Sequence, residues 1–328
     1  MLSRSTALRC FFASKPPPSP QPLLDLAHSR SGDGLCVYRS RAAVVEVLDA
    51  VAATGPVWWT DECAKFVEDV RASPAGRSLL SQPSAAAGDA AARPPIVLAE
   101  GLDGVGKTTV TKNLADKLGG VLVRTPDPEL DPVRGRFRVA EEVLARAFYA
   151  GANYLAAEHI ADMVVKQNKA VVIDRWWAST AAMAIANVTD EAAAADALAK
   201  VGAWPEDLPR YDLGVLLDVG EDVRLKRMAG RGDTNVEEAK LAQDRHLRKR
   251  AMAAYKALGP RPLEPTIVHT YMIAVNCIID RLARMEAANG ADPATDLEVS
   301  AAGRRILLPE GLAKTKFTMR QQLECKPW

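Results

Sequence analysis

The residues Gly101-Leu102-Asp103-Gly104-Val105-Gly106-Lys107-Thr108 satisfy G-x-x-x-x-G-K-[ST] and stand between an apolar run, Ile96-Val97-Leu98-Ala99, and a helical segment from Val110 to Leu118. A strand, a glycine loop and a helix in that order restrict the fold more than any other feature of the chain. The apolar run reads as a buried parallel strand. The glycines let the backbone turn its N–H groups toward an anion, and the helix N-terminus adds its positive dipole end. In such a loop Lys107 holds the β- and γ-phosphates of a nucleotide and the Thr108 hydroxyl ligates Mg²⁺, while Gly101, Leu102, Asp103, Gly104, Val105, Gly106 and Thr109 complete the phosphate-binding turn. A dinucleotide fold is excluded locally, because Gly104-Val105-Gly106 is followed by Lys107-Thr108-Thr109 and lacks the third small residue of G-x-G-x-x-G.

The balance of 42 Lys and Arg against 41 Asp and Glu, a net charge of +1, speaks against a chain that coats nucleic acid, so any anion site must be local. No apolar run approaches the roughly 18 residues needed to span a bilayer. Five scattered Cys without C-x-x-C spacing indicate neither a disulfide framework nor a zinc site. Residues 1–24 carry Arg4, Arg9 and Lys15 with no acid, several Ser, and a Pro-rich end, the composition of a transit peptide for the mitochondrion or, as the second choice, the plastid. Residues 25–80 read as a small helical extension, with two helices broken around Gly55-Pro56 and with Trp58 and Trp59 as packing residues. The Ala-, Ser- and Gly-rich residues 81–94 read as a linker, a main domain is expected over 95–286, and 287–328 form an appendage without sustained periodicity.

Two further segments narrow the kind of phosphate-loop protein. Ala170-Val171-Val172-Ile173 reads as a second buried strand, ending in Asp174-Arg175. A carboxylate at that end of a strand sits beside the phosphate loop, where it can hold Mg²⁺, and the adjacent Arg can bridge transferred and acceptor phosphates. The strand around Tyr211–Val219 is followed by a basic segment with Arg224, Lys226, Arg227 and Arg231 that suits a mobile lid over polyphosphate. A GTPase switch lacks its N-K-x-D, since Asn168-Lys169 is followed by Ala170-Val171.

Over about Ile96 to Met285, the segments E-G-L-D-G-V-G-K-T-T, D-R-W-W-A-S-T and L-K-R-M-A-G-R-G make the chain resemble the thymidylate kinase-like nucleoside monophosphate kinases. Ala147-Phe148-Tyr149-Ala150-Gly151-Ala152-Asn153-Tyr154, Trp204-Pro205-Glu206-Asp207-Leu208 and the helical N-terminal segment make it most similar to the mitochondrial UMP-CMP kinase 2 group of that branch. The resemblance implies that Asp103 lies near the acceptor sugar hydroxyl, that Asp174 and Arg175 form the family's D-R pair, and that Arg124 and Asn153 bind the acceptor. It also implies that Arg227 and Arg231 supply the charge that other members place on an Arg at the position of Gly104. An Arg restored at 104 is then expected to replace a lost lid charge. Trp176, where the family has Tyr, is expected to alter the grip on base or sugar, and Tyr154, where classical thymidylate kinases have Arg, speaks against a strict dTMP assignment.

The expected architecture is a three-layer α/β P-loop fold with a largely parallel sheet of about five strands, plus the helical N-terminal extension. The expected activity is ATP-dependent transfer to a pyrimidine nucleoside monophosphate (dTMP, dUMP, UMP, CMP or dCMP), with ATP and Mg²⁺ as cofactors, Lys107, Asp103, Arg175, Arg227 and Arg231 as the catalytic set, and Thr108 and Asp174 as metal ligands. The expected partners are these small molecules, without nucleic acid or a membrane span, and a homodimer is left open. The rival is a catalytically weak nucleotide-binding module that acts through protein partners.

Overall fold

The computed structural model describes residues 37–74, 93–139, 142–188, 190–200, 204–230, 236–258, 261–263, 270–287, 306, 308–309 and 312. The leader expected at 1–24, most of the expected linker, Arg231 and most of the tail lie outside these residues.

Among the described residues five strands form one parallel sheet in the order β2-β3-β1-β4-β5. They are β1 (Ile96–Glu100), β2 (Val121–Arg124), β3 (Val171–Asp174), β4 (Leu213–Leu217) and β5 (Arg261–Leu263). Strands β1, β3 and β4 are buried at every position, which is why each reads as an unbroken apolar run. Their side chains alternate between two helical layers. Ile96, Leu98, Val171 and Ile173 enter one core, and Val97, Ala99 and Val172 enter the other.

The helices are α1 (Arg41–Thr54), α2 (Asp61–Ala72), α3 (Lys107–Lys117), α4 (Asp131–Val139), α5 (Glu142–Ala161), α6 (Trp177–Ala186), α7 (Glu191–Lys200), α8 (Glu221–Ala229), α9 (Val236–Gln243), α10 (Arg245–Ala257) and α11 (Thr270–Ala287). Helices α3, α10 and α11 cover one face of the sheet, and α1, α2 and α5 build the opposite layer. Helix α6 is buried at every residue, and its alanines let Ala251 and Ala254 of α10 approach closely. The connection leaving β1 runs past β3 to β2, whereas the one leaving β3 returns past β1 to β4. The crevice at the carboxyl ends of β1 and β3 is therefore the switch point of the sheet, where ligands of such folds bind.

The two N-terminal helices are part of the main core. Ser40 caps α1 by accepting from the Ala43 N–H at 3.2 Å, and Gly55, with φ of 55°, ends it. Both helices rest on α5, where Phe66 of α2 nests on Gly151 so closely that a Cβ there would lie 2.9 Å from the ring. Trp58 and Trp59 pack edge-on against Phe137, with ring centroids 5.2 and 6.0 Å away.

The Trp204–Leu208 segment fastens this arrangement. Asp207 accepts from the Arg41 N–H at the start of α1 and from the Tyr154 hydroxyl of α5, both at 2.7 Å. Trp177 Nε1 donates to the Tyr38 carbonyl at 3.0 Å, and the Trp177 ring meets Trp204 edge-on. Asp207→Ala is expected to cost about 3 kcal/mol in urea unfolding, because it leaves a buried Tyr hydroxyl and a helix N–H without their acceptor. An unchanged unfolding midpoint and slope would mean that the brace contributes nothing.

At the other end, Ile306 bridges Arg93, and the Leu308 N–H donates to Glu286 Oε1 at 2.7 Å. The stretch expected to be an appendage thus sends these residues back onto the core. Cys277 of α11 is disulfide-bonded, although the spacing of the cysteines indicates no disulfide framework. Local spacing carries no signal for a pairing that only the fold brings about. Among the described residues no helix is long and apolar enough to cross a membrane.

Candidate active site

The phosphate-binding motif forms the turn from β1 into α3, with Gly101, Gly104 and Gly106 all at positive φ. No side chain caps the N-terminus of α3, which leaves that helix end open to an anionic ligand. Lys107 opens the helix and folds back over the loop, its Nζ donating to the carbonyls of Gly101 at 2.9 Å and Leu102 at 2.7 Å, with Asp103 Oδ1 at 3.8 Å. Burial, and then repulsion from Arg175, lower its pKa to about 8 against the pull of Asp103, Asp174 and Glu100.

Across the crevice, β3 ends in Asp174 and turns through Arg175 into α6. Thr108 Oγ1 donates to Asp174 Oδ2 at 3.1 Å, while Asp174 Oδ1 is buried without a hydrogen-bond partner. A hydroxyl and an orphaned carboxylate oxygen side by side suit a hard cation such as Mg²⁺, which takes one or two protein oxygens and completes its shell with water and phosphate. Arg175 Nη2 donates to Asp103 Oδ1, and Nη1 donates to Ser179 Oγ at 3.2 Å. The loop acid and the D-R pair, 72 residues apart in sequence, are thus joined directly.

These groups line a cleft of about 250 Å³. Its far wall brings together Arg124 from the end of β2, Arg134 and Arg138 from α4, and Arg146, Tyr149 and Asn153 from α5. Arg146 is buried with its guanidinium carbon 5.4 Å from the Tyr149 ring centre, and Asn153 Nδ2 donates to Thr180 Oγ1 at 3.4 Å. Arg134, Arg138, Arg146 and Tyr149 were not expected from the motifs. Their common signal is a density of Arg between Arg124 and Tyr154, and helical spacing alone does not show which of them turn toward the cleft.

Of the expected lid arginines, Arg227 donates from Nη1 to the Val105 carbonyl of the phosphate loop at 3.0 Å. Arg231 lies outside the described residues. Arg224, read as one more lid charge, is instead buried. Its Nη1 donates to the Asp103 carbonyl at 3.0 Å, and Nε and Nη2 pair with Glu221 at 2.8 Å. The same helix closes position 104. A Cβ on Gly104 would lie 2.9 Å from both the Arg224 carbonyl and Met228 Cγ, at a φ of 87° that side chains rarely adopt. The expectation that an Arg at 104 could replace a lid charge is therefore corrected, because this loop has no room for one.

The two departures from the family pattern fall in different places. Tyr154 turns its hydroxyl to Asp207 and is not part of the cleft lining, so it braces the N-terminal helix. Trp176 edges the cleft but is buried, with its Nε1 donating to the Pro209 carbonyl at 3.3 Å.

Beneath the site lies Glu100, fully buried at the end of β1, where burial raises its pKa to about 7 against the hydrogen bonds and charges around it. Its folded-state value lies above the unfolded one, so the stability contributed by its proton is full below about pH 4.5 and lost as the pH rises through about 7. Relative to Glu100→Gln, the parent protein should lose on the order of 3 kcal/mol across that window. Urea unfolding of the pair at several pH values checks this, and a pH-independent difference would contradict it.

A family model described as thymidylate kinase matches residues 99–261. Human mitochondrial UMP-CMP kinase 2 is 35% identical over 164 residues, 50% of this chain and 36% of that protein. The chain thus spans little more than a third of that relative's length. Thymidylate kinase from Xylella fastidiosa strain Temecula1 is 33% identical over 156 residues, covering 42% of this chain and 68% of the bacterial protein. The solved structure of Candida albicans thymidylate kinase superimposes with a TM-score of 0.43 at 18% identity, over 58% of this chain and 92% of that one.

Proposed function

The chain belongs to the thymidylate kinase family, and from that membership we propose that it transfers the γ-phosphoryl group of ATP to a pyrimidine nucleoside monophosphate, chosen among dTMP, dUMP, UMP, dCMP and CMP. The observation that carries this reading is the crevice itself. A phosphate loop with an uncapped helix N-terminus faces, across the switch point, a D-R pair and a wall of arginines. One side suits a nucleoside triphosphate and the other a second phosphate-bearing substrate.

In this reading Gly101 to Thr109 cradle the ATP phosphates, and Lys107 exchanges its contacts with the loop carbonyls for phosphate oxygens. Thr108 and Asp174 would hold Mg²⁺, which would supply positive charge to the ATP phosphates. Asp103 orients the acceptor sugar hydroxyl. Arg124, Asn153 and Arg175 hold the acceptor, with Arg175 between the two phosphates, while Arg227 and Arg231 bring charge to the transferring group. An oxygen of the acceptor phosphate bonds to the γ-phosphorus as the bond from that phosphorus to the β–γ bridging oxygen breaks, releasing ADP. No covalent enzyme intermediate is needed, because positioning and charge neutralisation supply the catalysis.

A coupled ADP-release assay of the purified chain with the five acceptors tests the reading, which requires release that depends on at least one of them. The transit-type composition of 1–24, together with the mitochondrial relative, supports residence in the mitochondrion. A fluorescent fusion that stays in the cytosol would reject it.

A further inference from the structure

Arg175 has a φ of 72°, a left-handed backbone that a non-glycine residue holds only when its surroundings impose it. The helix that starts immediately afterwards, α6, has Trp176 at its N-cap position and receives no hydrogen bond from a capping side chain there. Two N–H groups of that turn meet Glu100 instead, that of Ser179 being shared with the Trp176 carbonyl at 3.0 Å. Glu100 Oε1 accepts from the Trp176 N–H at 2.9 Å and from the Ser179 N–H at 3.1 Å, and Oε2 accepts from the Ser179 hydroxyl at 2.5 Å. The Ser179 oxygen in turn accepts from Arg175 Nη1 at 3.2 Å and lies 2.9 Å from the Tyr255 hydroxyl. A carboxylate buried at the end of a core strand is costly to keep. All three of these bonds are directed at the turn that carries Arg175.

We propose that Glu100 is a positioning residue, a cap supplied to α6 from another element, which holds the strained Arg175 turn and, through Ser179, aims the guanidinium into the cleft beside Asp103. This rests on the phosphoryl-transfer reading for the role of Arg175. The capping itself stands on the hydrogen bonds alone. A merely structural Glu100 would lower stability and leave the turnover of each folded molecule intact, whereas a positioning residue lowers kcat through Arg175.

The test compares Glu100→Leu, Glu100→Gln and Ser179→Ala in the full chain, each corrected for folded fraction by circular dichroism. Glu100→Leu should lower kcat on the order of 10²-fold while the KM for ATP stays within about twofold, as expected when a reacting group is displaced and ATP binding is not. Glu100→Gln keeps an acceptor for the two N–H groups and should recover most of the rate. Ser179→Ala removes the hydroxyl that joins Glu100 Oε2 to the Arg175 guanidinium while leaving the two N–H bonds to Oε1 in place, and should cost about tenfold in kcat even if the Leu variant fails to fold. In an Arg175→Met background the Ser179→Ala change should cost nothing further, because the two act as a unit. Parental kcat in folded Ser179→Ala, or losses that add in the double variant, would overturn the proposal. Independently of turnover, amide exchange over Arg175 to Thr180 should accelerate about tenfold in Glu100→Leu and much less in Glu100→Gln, while β1 keeps its protection. Unchanged exchange would overturn the cap even if the parent transfers no phosphoryl group, so the two failures are distinguishable.

Discussion

Lys107→Ala is expected to lower kcat by at least about 10²-fold, since removing a charge that meets the transferring phosphates costs about 3 kcal/mol or more of transition-state stabilisation. The ligand-free geometry adds a second consequence. The ammonium is buried and bonds to the Gly101 and Leu102 carbonyls, so its removal also deprives those two carbonyls of this donor. A modest loss of stability should therefore accompany the loss of rate, and added ATP should restore less of it than in the parent. Steady-state kinetics and thermal melts with and without ATP check both parts, and near-parental turnover in folded protein would remove Lys107 from the site.

Asp174→Asn should have a comparable effect on rate, about 10²-fold or more, with the opposite effect on stability. The amide keeps an acceptor for Thr108 but loses the charge that would hold Mg²⁺. In the absence of metal, Asp174 Oδ1 is a buried carboxylate oxygen without a partner, a liability to the fold that persists where function requires it. The variant should therefore melt no lower than the parent in the absence of Mg²⁺, and added Mg²⁺ should raise the parent's melting temperature more than the variant's. A variant that melts several degrees lower in both conditions would make Asp174 a structural residue.

Much of this site was legible in the sequence because its chemistry is local. The strand, glycine loop and helix around Lys107 are contiguous, and Asp174-Arg175 ends an apolar run of unmistakable strand type. The parallel sheet followed from strands buried on both faces, such as Val171-Val172-Ile173. What was not legible depends on contacts between distant segments. Tyr154 and the Trp204–Leu208 segment read as marks of resemblance to one group of the family, yet Asp207 joins Tyr154 to the start of α1, 166 residues from Asp207 itself. Arg224 differs from its neighbours in no sequence property, and only the docking of α8 on the phosphate loop buries it while Arg227 stays nearer the surface. Glu100 looked like part of a motif, and its task became visible only when the Arg175 turn came to rest over it.

Phosphoryl transfer differs from binding and from hydrolysis in where the γ-phosphate ends. Purified chain given ATP labelled in the γ-phosphate, Mg²⁺ and each pyrimidine nucleoside monophosphate in turn should place the label in the corresponding diphosphate, with one ADP formed per labelled product and little label in free phosphate. Label that remains in ATP, or appears only as inorganic phosphate with every acceptor, would contradict the account.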